Sequence, residues 1–137
     1  MPKLALISIA LCAVVSVGFL PFMEIGETHL INPDWPSHAR LHDAWQLLTN
    51  GALLILAFFL VWKGAAPRVG LGIALIINIS FLIALITGSL YGGSMMNSDG
   101  SEAAIGGINI GVAISVVLTA LLLLGYRAVS NHPKNKT

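Results

Sequence analysis

Charge is what this sequence has least of. Only 9% of its 137 residues are charged, 7 Lys or Arg and 6 Asp or Glu. Soluble domains carry about 25%, so a water-covered globular fold is excluded. Disorder is excluded as well, because it needs high charge and few apolar residues. A net charge of +1 gives no clustered basic surface for phosphate backbones, so no nucleic-acid partner is expected. The single cysteine, Cys12, rules out an internal disulfide and a CxxC metal or redox pair. No GxxxxGK[ST] pattern is present, so Gly92, Gly93 and Gly100 read as a flexible turn and not as a phosphate cradle.

What is abundant is apolar sequence: 56% of residues are hydrophobic. About 20 apolar residues in a helix cross the roughly 30 Å of hydrocarbon in a bilayer. Four stretches meet or approach that length, at about 4–23, 44–62, 69–91 and 103–126. A backbone in lipid must satisfy its own hydrogen bonds, so these are read as helices. The expected fold is an all-α four-helix transmembrane bundle in one integral membrane domain over about 1–130, with a polar tail at 131–137. The first stretch resembles a cleaved signal peptide in its Lys3 and its small-x-small site Ser16-Val17-Gly18. Its apolar run exceeds the usual signal length, so retention as an anchor is expected.

The scarce charges sort by side. Lys3, Lys63, Arg68, Arg127, Lys134 and Lys136 fall at the two ends and in the 2–3 connection. Glu24, Glu27, Asp34, Asp43, Asp99 and Glu102 fall in the 1–2 and 3–4 connections, with Arg40 as the lone cation there. Positive-inside bias then places both termini in the cytoplasm and every carboxylate on the outer face. Aromatic residues flank the spans as interfacial belts do: Phe19, Phe22, Trp35, Trp45 and Tyr91 on one side, Trp62 and Tyr126 on the other.

Helices in lipid meet through small residues. Stripes at four-residue spacing run through Ser8/Cys12/Ser16, Ser80/Ala84/Gly88/Gly92 and Gly107/Gly111/Ser115/Thr119. They suit contacts within the chain, self-association or contact with other membrane subunits. Asn78 and Asn109 are read as interhelical hydrogen-bonding residues. No charge interrupts a span and no inverted repeat is visible, which argues against a pump or transporter.

The first outer connection concentrates the chemistry, with three of the four histidines and four of the six carboxylates. Pro33 and Pro36 fix its entry to a helix that Asp34 or Ser37 is expected to cap and that extends span two on the outer face. His38 and His42 lie four apart, on one face of that helix, with Trp45 continuing the stripe. Arg40 and Asp43 are placed to pair on a flank. Two imidazoles at this spacing grip a metal in helical zinc sites, and Glu24, Glu27 or His29 would supply a third ligand. Neutral imidazole and carboxylate suit zinc, iron or manganese. The alternative is acid–base chemistry by His38, His42 and Glu24, or a structural salt-bridge knot. Arg40 and Trp45 are candidates for holding a substrate or cofactor. Met95 and Met96 read as apolar anchors of the second outer loop and not as copper ligands.

The stretch Asn32-Pro-Asp-Trp-Pro-Ser-His-Ala-Arg-Leu-His resembles that of an uncharacterised group of small bacterial four-span membrane proteins, which carry N-P-x-W-P-x-H-A-R-x-H after the first helix. The resemblance implies the four-span layout and the bacterial inner (cytoplasmic) membrane. Two functions are compatible with the sequence: a membrane-embedded enzyme or redox accessory acting on a lipid- or quinone-like substrate, and a non-catalytic subunit or assembly factor of a larger membrane complex.

Overall fold

The computed structural model describes residues 1–97 and 99–132. Lys134, Lys136 and most of the expected polar tail lie outside the described residues. Four helices are long and apolar enough to cross a membrane: α1 (Lys3–Glu24), α2 (Ser37–Trp62), α3 (Pro67–Ile86) and α4 (Ile110–Ser130). Large apolar side chains line their outsides. Phe22 and Ile86 are each 80% exposed, part of an extensive apolar exterior of the kind that marks a membrane or partner surface.

The local sequence explains where each helix starts, bends and stops. α1 is α-helical over Lys3–Ala13 and Leu20–Glu24, with a wider π-wound segment, Val14–Phe19, between them. Pro21 lacks an N–H and its ring crowds the carbonyl four residues earlier. A widened turn is one way a helix absorbs such a defect. At 26 residues, α2 is about 39 Å long at 1.5 Å per residue. That exceeds the hydrocarbon thickness by about one and a half turns, enough to carry its first residues to the membrane surface.

The expected cap of α2 is not formed. Pro36 occupies the N-cap position with no side-chain hydrogen bond. The Asp34 amide instead donates to Asn32 Oδ1 at 2.9 Å, an Asx turn that competes with capping. α3 begins with Pro67, where a missing N–H costs nothing. It stops short of the expected Tyr91, the chain going on as a tighter 3₁₀ turn over Gly88–Leu90, and side-chain hydroxyls bond to its last carbonyls. Thr87 Oγ1 donates to Ile83 O at 2.8 Å and the Tyr91 hydroxyl to Ala84 O at 2.6 Å.

α4 begins at residue 110, later than the expected 103, and runs on to Ser130. Ala104–Ile105 and Ile108–Asn109 form a small antiparallel hairpin, β1 and β2. Gly106 and Gly107 have φ of +59° and +80°, and two consecutive positive φ values make the tight turn that fits a hairpin. Asn109 is not inside the helix. It caps it, its Oδ1 accepting from Val112 N at 3.2 Å.

α1 packs on α2, α2 on α3, α3 on α4 and α4 back on α1. The core contains Ile9, Cys12, Leu54, Leu71, Ala74 and Leu122. The close approaches are not at the predicted glycine pairs. Gly92 and Gly107 sit in turns with positive φ, and Ser80 and Ala84 are exposed. Instead, a Cβ on Gly70 would lie 2.5 Å from Ala57 O, and one on Gly125 would lie 2.5 Å from Ser8 Oγ. Of the first stripe, Ser8 therefore meets α4 at Gly125, and Cys12 meets α3. Asn78 Nδ2 donates to Cys12 Sγ at 3.3 Å and to Ala74 O at 2.9 Å, which is the interhelical role read from the sequence. Only the weaker, sulfur-accepted bond crosses between helices. Asn78→Ala should therefore lower stability in mixed micelles by only about 0.6 kcal/mol, read as the shift in the unfolding midpoint.

Candidate functional site

The chain turns back on itself directly after α1. Ile25 leaves the helix at φ −82°, ψ 74°. The amides of Gly26 and Leu30 then both bond to the Glu24 carbonyl, at 3.0 and 3.1 Å. This fold-back sets His29 against Glu24, with Nε2 3.6 Å from Oε2. His29 Nδ1 lies 2.9 Å from the Thr28 hydroxyl, and the ring stands edge-on to Trp35 at 5.4 Å between centroids. Both nitrogens and one face of the imidazole are thus fixed by neighbours.

A third group joins from α2. Asp43 interacts electrostatically with both residues, attracted by His29 and repelled by Glu24. Its Oδ2 is buried and has no hydrogen-bond partner. The expected flank pair of Asp43 with Arg40 is not formed: among the described residues, the Glu24–His29 contact is the ion pair present. An orphaned buried acceptor costs about 1–3 kcal/mol, more for a charged group, unless something arrives to satisfy it. Glu24 and His29 are thus in contact, with the Asp43 carboxylate within electrostatic reach of both, a rim cluster of two carboxylates and one imidazole.

His38 and His42 make a separate pair. Both are exposed, with their Nε2 atoms 3.0 Å apart and rings edge-to-face at 4.5 Å. His42 also contacts the Trp45 ring at 5.9 Å, so the predicted stripe along α2 is real. It points outward, however, and Trp45 is 64% exposed. Glu27 is exposed and joins neither group. The proposed set of His29, His38, His42, Glu24 and Glu27 is therefore divided. Among the described residues no three or more His, Cys, Asp or Glu side chains are grouped to hold a metal ion.

The physical reason is the helical period. On α2 the buried face runs Asp43, Leu47, Asn50, Leu54, Ala57 and Val61, with Leu54, Ala57 and Val61 fully buried. Eleven residues complete about three turns at 3.6 per turn, so Asp43 shares the face of Leu54. His42 is turned about 100° away from it. That register was the available signal for Asp43, and reading Asp43 as a flank partner of Arg40 passed over it.

The second loop on this end carries its own carboxylates. Asn109 Nδ2 donates to Glu102 Oε1 at 3.0 Å, which ties the hairpin to the cap of α4. Ser101 donates to Asp99 through its hydroxyl at 2.6 Å and its amide at 2.9 Å. These donors, the hydroxyl first, hold the Asp99 carboxyl below the usual carboxylate range. Asp99 is thus committed to shaping its loop.

No family model matches the chain, and no curated protein or solved structure matches it.

Proposed function

We propose that the chain is a multi-pass protein of a bacterial inner membrane. In this reading the four helices form a transmembrane bundle with both termini in the cytoplasm and the rim cluster at the extracytoplasmic face. The sorting of charge supports the orientation: Lys3, Lys63, Arg68 and Arg127 at one end, the six carboxylates and Arg40 at the other. The cluster binds the hydroxyl end of a lipid- or quinol-like molecule that arrives through the bilayer. The observation that carries this is Asp43 Oδ2, a buried acceptor with no partner. It would accept a hydrogen bond from the ligand's O–H, with the His29 imidazole beside the two carboxylates balancing their charge. Phe22, Met23, Ile25 and Ile31 are exposed beside the site and give an apolar approach.

The test uses a short-chain alkyl hydroquinone and its dimethyl ether, which lacks both hydroxyl donors. Binding is followed anaerobically in detergent through quenching of tryptophan fluorescence, Trp35 being in contact with His29. The wild-type chain should prefer the hydroquinone by about tenfold, the equivalent of one good hydrogen bond. Asp43→Ala and Asp43→Leu, neither of which carries an acceptor, should each abolish that preference. Equal binding of the two probes by the wild type, or an undiminished preference in both variants, would overturn the reading.

A second reading concerns His38 and His42, because their Nε2 atoms converge at 3.0 Å. Two neutral imidazoles so placed can clamp zinc, iron or manganese, with the remaining positions left to Glu27, water or substrate. Elemental content of the purified protein decides it: a stoichiometric metal lost in His38→Ala and His42→Ala supports the clamp. A metal-free protein that co-purifies stoichiometrically with other chains would instead favour a non-catalytic subunit.

A further inference from the structure

At the opposite end of the helices, the start of α1, the end of α2, the start of α3 and the end of α4 line an open cavity of about 610 Å³. Its lining includes Trp62, Lys63, Arg68, Val69, Val129 and His132. Among the described residues, no carboxylate lines it. Two of its cations are held in place by contacts that leave their charge uncompensated. Lys63 Nζ sits 4.2 Å over the Trp62 ring, a cation–π contact. Arg68 Nη2 donates to Ser130 O at 3.2 Å, using one of the five donors a guanidinium offers. The α3 N-terminus also opens here, begun by Pro67 and with no side-chain cap, and adds its positive dipole end. Trp62, Val69 and Val129 supply apolar surface beside these charges.

We propose that this cavity binds the phosphate group of an anionic phospholipid. Charge complementarity selects the occupant: cations with no carboxylate beside them among the described residues, next to apolar side chains, suit a ligand with a phosphate at one end and hydrocarbon at the other. Basic pockets between membrane helices take anionic headgroups on the same grounds. The site lies at the far end of the molecule from the rim cluster and is independent of its role.

Native mass spectrometry of the detergent-solubilised chain tests this with phosphatidylglycerol, phosphatidylcholine and inorganic phosphate. Phosphatidylglycerol should bind about 25-fold more tightly than phosphatidylcholine, roughly fivefold for each of Lys63 and Arg68. K63Q alone, which breaks no hydrogen bond within the chain, should remove about fivefold, and K63Q/R68Q should remove the preference. R68K should retain most of it, which separates charge from the bond to Ser130. Equal binding of the two lipids, or an undiminished preference in K63Q/R68Q, overturns the proposal. Displacement of the bound lipid by millimolar inorganic phosphate overturns the lipid as occupant and assigns the cavity to a soluble phosphate.

Discussion

Gly70→Ala should destabilise the folded chain by about 1–3 kcal/mol, the usual cost of forcing extra volume into a packed interface. The new methyl would lie 2.5 Å from Ala57 O and 2.9 Å from Val61 Cγ2. The first of these is backbone and cannot swing aside, so α2 and α3 must move apart. Gly125→Ala should cost less, because its nearest neighbour is the hydroxyl of Ser8, although Ala5 Cα at 3.1 Å limits the relief. Gly72 has nothing within 4 Å of its missing Cβ. Gly72→Ala should therefore be neutral or slightly stabilising through helix propensity. Unfolding midpoints of the three variants in mixed micelles check the order. Equal effects at Gly70 and Gly72 would show that helix propensity, and not the α2–α3 approach, governs these positions.

Asp43→Leu should stabilise the chain by about 1 kcal/mol while removing the hydroquinone preference. The leucine extends the buried stripe of Leu47, Leu54, Ala57 and Val61, and it deletes an acceptor whose Oδ2 has no partner. A buried polar group replaced by an apolar one of similar size is often neutral or stabilising. Sites kept for binding characteristically lower stability in this way. A loss of stability on the scale of a core truncation, with ligand binding intact, would instead assign Asp43 to a structural knot with Glu24 and His29.

The helices were legible in the sequence because their signal is long: about twenty uncharged residues tolerate errors of a few positions at either end. The start of α2 was legible from Pro36, and the stripe of His38, His42 and Trp45 from simple four-residue spacing. The start of α4 was not. Ala103 to Ile108 is apolar enough to read as helix, and only the turn-forming pair Gly106–Gly107 marks the hairpin. The small-residue stripes failed for a related reason. Spacing identifies a face but not what it meets: Gly70 does lie four residues from Ala66 and from Ala74, a stripe like those that were read, and only Gly125 shows no such pattern. The site was legible as a region and misassigned in detail. Nearness along the chain suggested one pocket, but consecutive residues on a helix diverge by about 100°, so His42 and Asp43 lie on different faces of α2. The return of His29 onto Glu24 depends on loop hydrogen bonds that spacing does not encode.

The broad winding at Val14–Phe19 has a consequence for how Glu24 comes to face Asp43. A residue accommodated in a wide turn shifts the phase of everything beyond it by roughly 100° relative to uniform α-winding. The first half of α1 can therefore keep Ser8 and Cys12 against their neighbours, while the last turn is aimed on its own terms. Residues 14–19 thus act as a rotary joint that sets the direction of Glu24 apart from the packing of Ser8 and Cys12.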